Sequence, residues 1–199
     1  MRGAWVIRED ASRPVLVALY LRHVLGLRTP ADLPTVRGLP IPSIARDAAE
    51  QDRLESEWAE LWAMTIEPQA HPSPVPLELV DGFDTLLALP EGAAAELRSA
   101  IAPHAQDALA YADAEHQAYR KLASASTGAS YRAYASAIAE HERQVGRPAH
   151  AFELNVQVLP LAQRGVWWIG ALTVAVTDGL RGDAAQFDSA IHPIIAELA

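Results

Sequence analysis

The chain has 199 residues, half of them hydrophobic, a formal net charge of −9 and no cysteine. That length supports one domain with a sizeable core, spanning 1–199. The acidity disfavours nucleic acid as a partner, because phosphates need a basic surface. The missing thiols exclude disulfides, thiolate catalysis, Cys-ligated zinc and iron–sulfur clusters.

The charge is uneven. Residues 1–46 hold seven arginines against Glu9, Asp10 and Asp32, a net of +4 that leaves −13 for the remainder. Such asymmetry fits a basic end that meets an acidic partner or the chain's own acidic half, and equally a set of solvated faces. Lys121 is the only lysine, so Schiff-base chemistry has one place to occur.

Residues 4–8 read as a short strand. Pro14 suits the first turn of a helix, and the apolar run from Val15 to Leu25, closed by Gly26, reads as a buried helix or a short central strand. The run falls short of the ~20 apolar residues that cross a bilayer and lacks the flanks of a signal peptide, which points to a cytoplasmic protein with no membrane association. Four prolines between Pro30 and Pro42 make residues 29–43 a connector.

Ser43 is the expected cap of a helix to about Ile66, in which Ile44, Ala48, Leu54, Trp58, Leu61, Trp62 and Ile66 fall on one stripe. A second proline-rich loop, 67–76, leads into the strand-like PLELV and FDTLLAL. Helices follow from Pro90 to about Ala102, from His104 to about Ser124 and over about 130–145; the last two form an expected helical hairpin.

The segment 152–177 carries the clearest pattern. Phe152, Leu154, Val156 and Val158 alternate with Glu153, Asn155 and Gln157, a half-buried strand. After a short loop, VWWIGALTVAVT is apolar on both faces, a strand covered on both sides. Together they read as a hairpin. Asp183 and Gln186 form a capping box for a C-terminal helix whose apolar face runs from Phe187 to Leu198, with Pro193 expected to kink or split it. The expectation is an α+β fold: a small, largely antiparallel sheet centred on the 152–177 hairpin, covered by the helices at 43–66 and 183–198.

Metal-ligating residue types occur in two helical clusters, Asp113, Glu115 and His116, then Glu140, His141 and Glu142. Asp113 and His116 share a helix face. Convergence of His116 and His141 with Asp113 and Glu140 would suit zinc, manganese or iron, although neither HExxH nor paired ExxH spacing is present. His71 and His150 lie in proline-flanked loops, where site residues often occur, but a Ser73 or Thr127 nucleophile has no GxSxG context. Phosphate-loop glycine patterns are absent, and no cofactor is implied. The stretch Thr177–Asp183 between strand and helix reads as turn chemistry, or as an anion site assisted by Arg181. Tyr111, Tyr119, Tyr131 and Tyr134 gather in the helical half, as helix-packing groups or as a pocket lining. Trp167 and Trp168 point to opposite faces of their strand, so one of them needs a covering element or partner; with Trp58 and Trp62 they are the interface candidates.

The runs SYRAYASAIAEHERQVGR (130–147) and FELNVQVLPLAQRGVWWIGALTVAVTDGLRGD (152–183) resemble proteins of unknown function from high-GC Gram-positive, actinobacterial bacteria. The resemblance spans about the C-terminal third and implies no mechanism. A zinc-binding alcohol dehydrogenase is ruled out by the missing cysteine ligands and dinucleotide fingerprint. With no catalytic constellation recognisable, the expected function is non-catalytic: a structural protein or a module that binds another protein or itself, as in a homodimer. The alternative is a metal-dependent enzyme or metal binder using His116 and His141 with nearby carboxylates.

Overall fold

The structure, a computed structural model, describes residues 5–125 and 129–199. In chain order the elements are β1 (Trp5–Asp10), α1 (Arg13–Val24), α2 (Ala48–Ile66), β2 (Leu77–Leu79), β3 (Ala88–Pro90), α3 (Ala95–Ile101), a 3₁₀ turn at Ala102–His104, α4 (Ala105–Ala125), α5 (Ala129–Val145), β4 (Phe152–Leu159), β5 (Val166–Trp168), β6 (Thr173–Thr177), α6 (Asp178–Arg181) and α7 (Ala184–Leu198). They form two compact units: residues 1–10 with 118–199, and residues 11–117.

The first unit holds a four-stranded sheet in the order β1-β4-β6-β5. β1 and β6 both run parallel to β4, and only β5, at the edge, is antiparallel to its neighbour β6. The mixed α+β class is as expected, but the largely antiparallel sheet is corrected to a mostly parallel one. The segment 152–177 is not one hairpin but three strands. Its second half breaks at residues 169–172, where the amides of Ile169 and Gly170 both donate to the Thr173 carbonyl, at 2.9 and 3.1 Å. The chain therefore reverses twice, and β6 returns parallel to β4. The tight hairpin is β5–β6.

One sheet face is covered by α5 and α7, which pack on Phe152, Leu154, Val156 and Val158 of β4 and on Val174 and Val176 of β6. Each such side chain contributes roughly 1.5–3 kcal/mol by leaving water. The expected cover by the C-terminal helix holds. The helix beginning near residue 43, by contrast, belongs to the other unit, and α5 takes its place. β6 is buried on both faces, as its composition required. Thr177 ties down the loop before β5: its hydroxyl donates to the Gln163 carbonyl at 2.6 Å and accepts from the Gly165 amide at 3.2 Å. Gly165 leaves room for the Trp167 ring: a Cβ there would lie 2.9 Å from it and force the ring to shift. α7 starts at the expected cap, with the Asp183 carboxylate accepting from the Gln186 amide, and it carries Pro193 inside a single helical span.

The second unit is built on α1, apolar on all sides and buried from Val15 to His23. α2 packs against it. Its cap is Asp47, whose carboxylate accepts from the Glu50 amide at 2.8 Å, so the helix begins later than the expected Ser43. Pro40 and Pro42 remove backbone donors just upstream, and residues 41–47 have no regular structure. Arg22, also buried, donates to the carbonyls of Arg28, Thr29, Pro30, Leu33 and Pro34. One side chain thereby organises the proline connector that follows α1. The Thr29–Pro30 peptide in that connector is cis. Of the FDTLLAL segment, only its last two residues join β3; the rest is a turn in which Phe83 and Leu87 are buried.

Candidate functional site

Two features of the structure call for a chemical reading: a buried polar cluster around Glu9 and an exposed aliphatic ribbon formed by β2 and β3.

Glu9 lies on β1 at the same parity as Trp5 and Ile7, opposite Val156 of β4, and so points into the helix-covered face. Its carboxylate Oε2 accepts from the Tyr134 hydroxyl at 2.8 Å and from Arg181 Nε at 2.9 Å, and its backbone carbonyl accepts from the Tyr119 hydroxyl at 3.0 Å. The Arg181 side chain is 4% exposed and that of Glu9 13%. The Arg181 guanidinium also stands 5.0 Å over the Phe187 ring, which meets Tyr134 edge-on. Burial and then the Glu9 charge push the Tyr119 hydroxyl up to about 12 and Tyr134 well above its usual value. Both tyrosines therefore stay protonated donors at neutral pH and cannot serve as proton acceptors.

In open parallel sheets, ligands gather beyond the carboxyl ends of the strands. Here the carboxyl ends of β1 and β6 are joined by this ion pair and its tyrosines. The arrangement is a clamp between strand and helices. Arg181 is spent on Glu9, which removes the side chain that was to assist an anion site at 177–183; of the turn reading, the aspartate cap is found at Asp183, while neither Gly179 nor Gly182 takes a positive φ. An alkaline titration checks the clamp. Ordinary tyrosine ionises near pH 10. Because folding raises these two hydroxyls above that value, their contribution to stability is complete below about pH 10 and is lost at higher pH, that of Tyr119 as pH climbs through about 12. Tyrosinate absorbance should show these two groups ionising last, together with unfolding; normal titration of all five tyrosines would contradict the geometry.

Of the metal candidates, Asp113, His116 and Glu140 are engaged elsewhere. Asp113 pairs with Arg13 at 2.9 Å, the His116 ring Nδ1 bonds the Ala11 carbonyl at 2.8 Å, and Glu140 takes hydrogen bonds from Arg143 and Gln144. His141 is half-buried on α5. Among the described residues, no group of three or more His, Asp or Glu side chains is placed to hold a metal ion. His150 is exposed beside Arg147, and the Ser73 hydroxyl donates to the Val75 carbonyl. Thr127 lies outside the described residues.

The interface tryptophans divide. Trp58 and Trp62 are interior side chains stacked at 5.2 Å, and the Trp58 indole donates to the Ala18 carbonyl at 3.1 Å, so neither has a face to offer a partner. Their i,i+4 spacing on the stripe with Leu54 and Leu61 is core spacing. Trp167 is half-buried over Gly165, and Trp168 is exposed at the sheet edge with its indole donating to Glu197 at 3.2 Å. The four tyrosines do not line one pocket: Tyr119 and Tyr134 serve Glu9, Tyr131 lies against Trp5, and Tyr111 against Tyr20. A cleft of about 680 Å³ does open between the 25–29 turn and the start of α2. Its Glu55 carboxylate is already occupied by the Arg28 and Thr29 amides and by Gln51.

The ribbon was missed as a surface by sequence reasoning. Leu77 and Leu79, on the same face of β2, are each 54% exposed, and Val75, in the bend before the strand, is also exposed. On the opposite face, Glu78 pairs with Arg98 of α3 at 3.2 Å. Cross-strand bonds fix the orientation of the backbone. The Pro76 carbonyl accepts from the Glu91 amide, and the Val80 amide donates to the Leu87 carbonyl. Even-numbered residues of β2 thus face β3, while the N–H and C=O of Leu77 and Leu79 point to the free edge. Alternation in PLELV betrayed a strand; which of its faces stays wet depends on tertiary packing.

No protein-family model matches the chain, and no curated protein or solved structure matches it either.

Proposed function

We propose that the protein works as a binding module for another protein chain, and that the outer face of β2 is its contact surface. The observation that carries the reading is the pair Leu77 and Leu79, exposed aliphatic side chains on one strand face, with Glu78 of the reverse face paired to Arg98. Contiguous exposed apolar surface of this kind marks interaction sites, whereas scattered single residues do not. The tightly hydrogen-bonded state of the Glu9 cluster and the separate engagements of Asp113, His116 and Glu140 favour binding over catalysis.

Site-specific photocrosslinking tests this in cells. A benzophenone amino acid replacing Leu77 should give one discrete protein adduct, of a partner or a second copy, and Leu79→Asp in the same chain should abolish it. The same probe replacing the exposed Leu172 should give none. No adduct at 77, or equal adducts at 77 and 172, would remove the basis of the proposal.

A further inference from the structure

The geometry points to strand addition as the binding mode: β2 accepts an extended partner segment, antiparallel at its free edge, in which aliphatic residues alternate with Lys or Arg. This rests on the reading of β2 as the contact surface and adds the partner's chemistry.

The backbone supplies the first argument. Among the described residues, the outward N–H and C=O of Leu77 and Leu79 have no hydrogen-bond partner, so the edge offers two donors and two acceptors in strand register. That is the template an added strand reads, with side-chain pockets on alternate positions giving selectivity. Pro90 fits the same scheme. It sits opposite Leu77, at a position that makes no cross-strand bond, so its missing donor leaves the ribbon intact.

The side chains supply the second. An added strand places alternate residues beside Leu77 and Leu79, which calls for aliphatic groups there. Its intervening residue falls beside Glu78, whose Oε1 is not part of the Arg98 pair. The ribbon's charge is of one sign. Between His71 and Arg98 the sequence has no basic residue and five acidic ones, of which Glu78, Asp81, Asp84 and Glu91 are exposed on the ribbon and its turns. A basic residue is therefore attracted at the intervening position, and an acidic one repelled.

The same charge argues against a second copy. Antiparallel self-pairing of β2 that matches Leu77 with Leu79 of the other copy sets Glu78 directly against its own equivalent, which destabilises the pair.

The test uses the full chain and two capped seven-residue peptides, one alternating valine with lysine and one alternating valine with glutamate. In an amide-resolved NMR titration, the valine–lysine peptide should shift the amides of residues 77–80 and slow hydrogen exchange at Leu77 and Leu79. It should bind at least about tenfold more tightly than the valine–glutamate peptide and weaken with added salt. Leu79→Pro removes an outward donor without touching the bonds to β3, and should weaken the peptide by about tenfold or more while Val80 stays protected. Equal binding of both peptides, unperturbed Leu77 and Leu79 amides in the wild-type chain, or full affinity in Leu79→Pro would each overturn strand addition. A dimer in light scattering that Leu79→Pro dissociates would replace the basic strand by a second copy. Crosslinking at position 77 that persists while the peptide fails would sink the binding mode alone; loss of both would sink the interface itself.

Discussion

Glu9→Ala is expected to destabilise the protein by about 3–5 kcal/mol, the usual cost of leaving a buried charge without its partner. The substitution strands the Arg181 guanidinium, whose side chain is 4% exposed, over the Phe187 ring without its carboxylate. It also removes the acceptor of Tyr134. A cost of this size is a large share of the stability of an ordinary domain, so the urea midpoint should fall markedly at unchanged slope. The control is the double variant Glu9→Leu with Arg181→Met. Replacing a buried pair by apolar groups of similar volume is often nearly neutral, so the double variant should lose less than the two single variants together. Strict additivity, or a Glu9→Ala cost below about 1 kcal/mol, would mean that the pair is not isolated from water as its burial implies.

Arg22→Met should cost about 2–5 kcal/mol. Two of the five carbonyls it serves, those of Leu33 and Pro34, are reached by fully buried hydrogen bonds. Without the guanidinium they lose their donor, and methionine restores only the stem packing. Desolvation pulls the Arg22 guanidinium below its usual value, while the nearby Glu55 charge opposes that shift. The effect should concentrate in the connector after α1. Limited trypsin digestion should cut the variant faster at Arg28, which follows directly on the ordered turn. An unchanged digestion pattern together with an unchanged melting temperature would show that the prolines alone hold the connector.

These two arginines show where reading the sequence stops. Alternation identified β4 and its buried face, and the two-sided apolar character of TVAVT identified a central strand. That second signal already favoured a parallel neighbour, since parallel strands are the ones covered on both sides. The antiparallel reading prevailed because proximity in sequence makes hairpins the default. The true neighbour of β4 on its other side is β1, whose Trp5 pairs with Phe152, and no local pattern announces so distant a partner. Glu9 was legible in principle: in WVIRED a carboxylate occupies the parity of Trp5 and Ile7, and a buried carboxylate requires a donor. Naming Arg181 as that donor required the fold. The same limit applies to Trp58 and Trp62. Their spacing placed them on an apolar stripe, but only the packing of α1 on α2 decides whether a stripe is core or contact.

The pairing of Trp5 with Phe152 also sets an order of events during synthesis. Residues 11–117 are contiguous, so every contact within that unit is available once they have left the ribosome. β1 emerges before all of them, yet its sheet neighbour and the Tyr134 and Arg181 partners of Glu9 are translated after them. β1 must wait, exposed and with an unpaired carboxylate, until α5, β4 and α6 have followed it out. Such long-range closure is the slow kind. A charged side chain at Glu9 and two more at Arg8 and Asp10 keep that waiting strand from being an aggregation-prone apolar segment.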